Sequence, residues 1–382
     1  MQNRKGDHHL LMSSNDLSIE DWDASFGKVY SALIEADIES MMIGHISLPA
    51  YSRKFRPDIK DEEILPASLS PELINNLLRE QLGFNGLILT DASHMAGLAC
   101  AAPRSVQIPG SIAAGCDMFL FVNDIDEDFQ YMMDGYKNGI ITEDRLNDAL
   151  HRILGLKAKL GLNNLKFPDK SGLSNVGSYY NHYISEKAAN ESITHVKDTQ
   201  ELIPVNLSEK RRLKLYFIES APVSYLDGTD PTKNIVIEEL EKAGFIVTSH
   251  TNYYEMEAEN PDQINRMRIK KCGSVEEFKD DYDLVMMFFH MKGYAQENNI
   301  RIKWSAAHSN EIPWFVKEVP TIGISLSYTN HLYDLPMLKT FINAYAPTRE
   351  YIRACIEKIL GKSEFKGRYD DNVWCGRWDT KL

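Results

Sequence analysis

Nowhere in this 382-residue chain do apolar residues run on for the roughly 20 positions that a membrane-spanning helix requires. The N-terminal stretch Met1-Gln-Asn-Arg-Lys-Gly-Asp-His-His is polar and holds no signal-peptide core. No membrane partner is therefore expected. Cysteine is scarce and scattered: Cys100, Cys116, Cys272, Cys355 and Cys375 are odd in number and form neither a CxxC pair nor a zinc spacing. That usage predicts reduced, structural thiols in a cytoplasmic setting. An excess of positive charge is also missing. With 42 Lys and Arg against 55 Asp and Glu, the net charge of −13 leaves no basic footprint for nucleic acid. The dense basic cluster Lys210-Arg211-Arg212 with Lys214 precedes an apolar run and reads as a solvated strand entrance. Repeats, low-complexity tracts and spaced metal ligands are not found, and the glycines from Gly110 to Gly115 are too sparse to cradle a phosphate. No cofactor is expected.

What is present is an alternation of helical and strand patterns. From Ser18 to Ala36 the apolar residues Trp22, Phe26, Val29, Tyr30 and Leu33 recur on one helical face. Met41 to Ile46 reads as a strand, and Ser70-Pro71-Glu72 opens a helix with Ser at its N-cap and Pro at its first position. Asp117 to Val122 is a further strand, with a helical stretch around Ile108 to Ala114 before it and two more helices leading to Leu162. Strand-then-helix order predicts parallel strands joined by right-handed crossovers. Residues 163–177, rich in Asn, Lys, Pro, Ser and Gly, read as a linker. Beyond them a second α/β pattern places strands at Leu213–Ile218, Phe245–Ser249, Leu284–Phe289 and Thr321–Leu326, with helices at Ile235–Ala243 and Pro347–Leu360.

One segment carries more than fold. In Gly86-Leu87-Ile88-Leu89-Thr90-Asp91-Ala92 an apolar run, entered from a Gly-Phe-Asn-Gly turn, ends on an acid. Such a run is how a buried parallel strand reads, and barrel enzymes place their chemistry at strand carboxyl ends. Aspartate is equally a preferred helix N-cap. On the local pattern both readings of Asp91 stand.

Several motifs, in one order, extend the comparison. The Asp91 strand resembles the strand-end nucleophile motif of glycoside hydrolase family 3. Ile64-Leu-Pro-Ala-Ser-Leu-Ser-Pro-Glu-Leu resembles the family's helix entry before that strand, and Met42-Ile-Gly-His45-Ile-Ser-Leu-Pro-Ala its preceding strand. Ala113-Ala-Gly-Cys-Asp117-Met and Arg152-Ile-Leu-Gly-Leu-Lys-Ala-Lys-Leu-Gly-Leu162 resemble its last barrel strand and closing helix. Thr340-Phe-Ile-Asn-Ala-Tyr, Ser363-Glu-Phe-Lys-Gly and Cys375-Gly-Arg-Trp-Asp-Thr are similar to the tails of two-domain members.

The resemblance implies an α/β architecture: the C-terminal part of a (β/α)8 TIM barrel over 1–165, followed by an α/β/α sandwich over 166–382. Asp91 would be the nucleophile of a retaining β-glycosidase. Within the family, the β-N-acetylglucosaminidase branch carries an Asp-x-His dyad instead of a carboxylic general acid. Gly6-Asp7-His8-His9-Leu10 is similar to that loop, which makes Asp7 the dyad acid and His9 the acid/base; a register shifted by one would make His8 the partner. His45 would line the sugar pocket or be a satisfied core histidine. Met95, beside His94 on the nucleophile's loop, would wall the pocket or simply pack. Gln296, Glu297 and Asn298 read as a solvated loop.

The implied substrate is an N-acetylglucosamine-containing oligosaccharide or cell-wall fragment, with a β-glucoside or β-xyloside as the alternative. A barrel takes roughly 250 residues, and only about 165 precede the linker here. The earlier strands and their sugar-gripping motifs have no counterpart. Three explanations follow: a fragment of an otherwise ordinary enzyme, which is favoured, a missing N-terminal half-barrel supplied in trans, or a non-catalytic carbohydrate-binding remnant. Activity of the chain alone is expected to be low or absent.

Overall fold

The run Leu284-Val-Met-Met-Phe-Phe-His290 is apolar at both phases of the strand period, so it must be buried on both faces. In the computed structural model it is the buried strand β9 of the second of two units into which the chain divides near residue 168. The structure describes residues 7–164, 167, 169–220, 230–251, 274–291, 293, 301–304 and 311–382.

In the first unit, β2 (Ser40–Ile43), β4 (Leu87–Ala92) and β5 (Met118–Leu120) form a parallel sheet in the order β2-β4-β5. Chain continuation past β2 makes β3 (Ile46–Ser47), which pairs in parallel with β1 (Ser13–Ser14) as a separate sheet. The strand expected from Met41 to Ile46 is thus broken at Gly44-His45, where the chain changes partner. Helices over Glu72–Gln81, Arg104–Ala114, Ile125–Lys137 and Glu143–Lys159 follow the order predicted.

One face of this sheet is covered. Met41 and Ile88 pack with Ile74, Leu78, Phe84, Ala114 and Cys116. Among the described residues the opposite face is not: Met42, Leu89 and Met118 stand side by side by register, and Met42 is 57% exposed. The helical stretch Ile19–Glu35, which includes a wider π turn at Asp23–Gly27, buries Trp22 but leaves Phe26, Val29, Tyr30 and Leu33 exposed. The apolar face expected for this helix exists. Most of it stays exposed among the described residues, although Tyr30 stacks on Trp22.

At the amino end of the sheet, Asp117 is fully buried among arginines. Its Oδ2 accepts from Arg79 (2.8 Å) and from the Ile88 N–H (2.9 Å), its Oδ1 accepts from Arg145, and Arg152 lies 3.5 Å away. This brace fixes the start of β4. It accounts for two family-like segments, around Asp117 and Arg152, as structural.

The second unit is a six-stranded sheet in the order β6-β11-β10-β9-β7-β8, from β6 (Thr194–Asp198), β7 (Arg212–Glu219), β8 (Ile246–Ser249), β9, β10 (Thr321–Ser325) and β11 (Thr340–Asn343). All pairings are parallel except β11–β6. Alternate residues of β9 feed two cores: Leu284, Met286 and Phe288 face one, Val285, Met287 and Phe289 the other. Strands β6 and β11 were not anticipated, since Thr194-His-Val-Lys-Asp lacks an apolar run and gains its place by pairing. The expected polar loop Gln296-Glu297-Asn298 lies outside the described residues. Among the described residues no helix is long and apolar enough to cross a membrane, and Cys100, Cys116, Cys355 and Cys375 are free thiols.

Candidate active site

Asp91 is the fifth residue of the six-residue strand β4. Side chains alternate along a strand, so Asp91 projects from the same face as Leu89, the uncovered one that would line a barrel. Its Oδ1 accepts the N–H of Ala92 at 2.7 Å. The following loop is tied to β5 through Ser93, whose N–H donates to the Leu120 carbonyl (3.1 Å) and whose hydroxyl donates to that of Phe121 (2.6 Å). Asp91 therefore sits on a strand end held at both flanks.

Residues 7–9 dock onto that same loop by their backbone. Ala96 N–H donates to the His9 carbonyl (3.1 Å) and Gly97 N–H to the His8 carbonyl (2.9 Å). A Cβ added at Gly97 would stand 2.7 Å from the His45 carbonyl oxygen and 3.1 Å from His8 Cβ, so the close approach depends on glycine. Within the docked turn, Asp7 Oδ1 accepts from the His9 N–H (2.9 Å) and pairs with His9 Nδ1 at 2.6 Å. These donors hold the Asp7 carboxyl below the usual carboxylate range. With Nδ1 engaged by the acid, His9 keeps Nε2 free for proton exchange. Asp7 and His9 are thus brought together as a hydrogen-bonded pair.

His8 faces Asp91 instead: its Nε2 lies 3.9 Å from Asp91 Oδ2. His45, expected as a pocket wall or a core residue, is fully buried. Its Nδ1 pairs with the Ser68 hydroxyl (2.7 Å), and its Nε2 donates to the Ala92 carbonyl (3.0 Å). Burial keeps this imidazole below the ordinary histidine pKa, hence neutral, despite Asp91 nearby. It braces the loop that follows Asp91 from the buried side. Met95 is also buried, at 4% exposure, at the head of the short helix Ala96–Ala99.

Asp7, His8 and His9 each present one ligand atom within 4.8 Å of the others, a set able to take a metal ion. Such consecutive ligands show no metal-site spacing, which is why a metal set was not expected from these three residues. Gly97 and Ser68 were missed for a related reason: their roles are contacts across 23 to about 90 positions.

Over residues 3–156 the chain matches the glycosyl hydrolase family 3 N terminal domain. A curated β-N-acetylglucosaminidase/β-glucosidase of Cellulomonas fimi is 37% identical over 98% of this chain. Residues 3–156 thus belong to glycoside hydrolase family 3. The chain spans 65% of the length of that relative, and 31% of a β-hexosaminidase of Chromobacterium violaceum that is 30% identical over 123 residues. Among solved structures, that of the β-glucoside phosphorylase BglX superposes with a TM-score of 0.86 and 37% identity, over 98% of this chain and 65% of that one. A family 3 β-N-acetylglucosaminidase from Paenibacillus sp. str. FPU-7 shares the fold at TM-score 0.69 and 20% identity, over 95% and 64% of the two chains. The family 3 architecture makes the three-stranded sheet part of a TIM-barrel-like domain and the six-stranded sheet the sandwich domain.

Proposed function

We propose that this chain carries the catalytic groups of a retaining β-glycosidase that releases terminal β-N-acetylglucosaminyl units, with β-glucosides as the alternative substrates. The observation that carries this reading is the Asp7–His9 pair docked by backbone hydrogen bonds onto the loop of Asp91. Asp91 attacks the anomeric carbon while His9 gives its Nε2 proton to the departing glycosidic oxygen, forming a glycosyl-aspartate. His9 then takes a proton from the incoming acceptor as the acceptor oxygen displaces Asp91. Asp7 stabilises the imidazolium that appears between these steps.

Water is the acceptor in a hydrolase. A second reading, phosphate as acceptor, is favoured by the 37% identity to a protein named as a β-glucoside phosphorylase. An imidazole suits it, because a neutral base does not repel an incoming anion as a carboxylate does.

We further propose that a strand-and-helix half-barrel, upstream in a longer chain or in trans, covers the Met42–Leu89–Met118 row. Among the described residues β2 and β5 each pair only with β4, which leaves two parallel edges able to accept further strands. The apolar row between them fits the buried interior of a barrel.

The test is cleavage of 4-nitrophenyl β-N-acetylglucosaminide and β-glucoside, with and without phosphate, by this chain alone and with the upstream half supplied. Asp91→Asn should abolish turnover in the completed enzyme. Undiminished activity of that variant would refute the assignment, and sugar 1-phosphate as the main product would select phosphorolysis.

A further inference from the structure

An Asp-x-His dyad leaves its middle residue without a part in acid catalysis. Here that residue is His8, and its ring is more tightly specified than a spacer needs. Two glycines shape its slot: a Cβ at Gly44 would lie 3.4 Å from His8 Cε1, and one at Gly97 3.1 Å from His8 Cβ. The rings of His9 and His45 stand edge-on to it, with centroids 5.3 and 6.2 Å away.

The slot also selects a tautomer. The backbone N–H of His45 points at His8 Nδ1 from 3.3 Å, so Nδ1 is the acceptor and a neutral ring carries its proton on Nε2. That N–H faces Asp91 Oδ2 at 3.9 Å, while Asp91 Oδ1 is held by the Ala92 N–H. At this separation the contact is electrostatic rather than a hydrogen bond. The carboxylate is nevertheless addressed from both sides.

We propose that His8 is a positioning residue for the nucleophile. Held as the Nε2–H tautomer by the His45 backbone, it turns the Asp91 carboxylate toward the anomeric carbon and keeps it from swinging out of line. The inference rests on the glycosidase reading above. It assigns His8 to the attack step, separately from the proton transfers of His9.

Two measurements test it. In the full chain, nitrogen-15 NMR of labelled histidine rings, with His8 assigned by difference against His8→Gln, should show the Nε2–H tautomer and a change in its signals in Asp91→Asn. The Nδ1–H tautomer, or signals indifferent to Asp91→Asn, would overturn the proposal, and this arm needs no turnover. In the completed enzyme, His8→Phe should lower kcat about tenfold or more with little change in KM, as misplacement of a reacting group does. His8→Gln, which retains a donor, should recover most of the loss. A dinitrophenyl leaving group needs no acid assistance, so it should shrink the deficit of His9→Ala and leave that of His8→Phe intact. A deficit in His8→Phe that vanishes with this leaving group would place His8 in acid catalysis and sink the idea. Activity surviving Asp91→Asn would instead remove the glycosidase reading itself.

Discussion

The backbone N–H of Gly97 donates to the carbonyl oxygen of His8 at 2.9 Å, and through that bond the turn bearing Asp7 and His9 is fastened to the loop that follows Asp91. Retaining catalysis needs both groups in one frame, because the same pair serves two successive displacements. A side chain at position 97 has no room, with the His45 carbonyl 2.7 Å from where its Cβ would be. Gly97→Ala should cost about 1–3 kcal/mol, the usual range for overpacking. It should also lower turnover in the completed enzyme more than its stability loss accounts for. Thermal melts read beside aryl-glycoside kinetics check both.

Removing the acid/base should be severe but dependent on the leaving group. His9→Ala is expected to slow cleavage of a poor leaving group by about 10²–10⁴-fold. Asp7→Asn, which keeps the shape and removes the charge, should approach the effect of His9→Ala. Steady-state kinetics over a series of aryl leaving groups separates this from a folding defect, because a misfolded fraction lowers every substrate equally.

The buried Asp117 should be indispensable to the first unit. Asp117→Ala leaves Arg79, Arg145 and Arg152 facing one another and the Ile88 N–H without its acceptor. Breaking one partner out of a buried ion network costs about 3–5 kcal/mol. Denaturant unfolding followed by circular dichroism should show loss of the unit, or its aggregation.

Stability of the second unit should fall in mild acid because of His331. This imidazole is almost fully buried against Phe289 and Tyr328, its two ring nitrogens have no partner among the described residues, and burial pushes its pKa down to about 4 from 6.5. Between these values the unfolded chain binds the proton and the folded chain does not, so stability rises with pH across that window and is lost as pH falls through it. From pH 7.5 to 5 the loss attributable to this group is about 2 kcal/mol. Urea titrations at the two pH values should show the gap narrow in His331→Leu; an unchanged gap would contradict the assignment.

Much of the fold was legible because its cues are local. The buried runs at Leu87, Leu213, Leu284 and Thr321 announce parallel strands, and Asp91 lies at the carboxyl end of one of them. The dyad was legible as a residue spacing, and the 2.6 Å contact of Asp7 with His9 is internal to three residues. The bracing of the nucleophile loop by His45, the arginine cluster around Asp117 and the slot for His8 were not. Each joins segments far apart in sequence, and nothing in the run of residues at one partner specifies the other. Strand β6 was hidden for a similar reason, since its polar residues become a strand only by pairing with β11.

The sequence alone determined the alternation of strands and helices, the acid at a strand end and the Asp-x-His turn, because periodicity and short spacings act within a few residues. Only the tertiary structure decided that Asp7 contacts His9 while His8 turns to Asp91, and that His45 is buried against the Asp91 loop. It alone decided that Met42, Leu89 and Met118 form one uncovered apolar row. Those outcomes depend on which groups are brought within 3 to 4 Å across the fold, where hydrogen-bond and steric demands are settled jointly and local preference has no say.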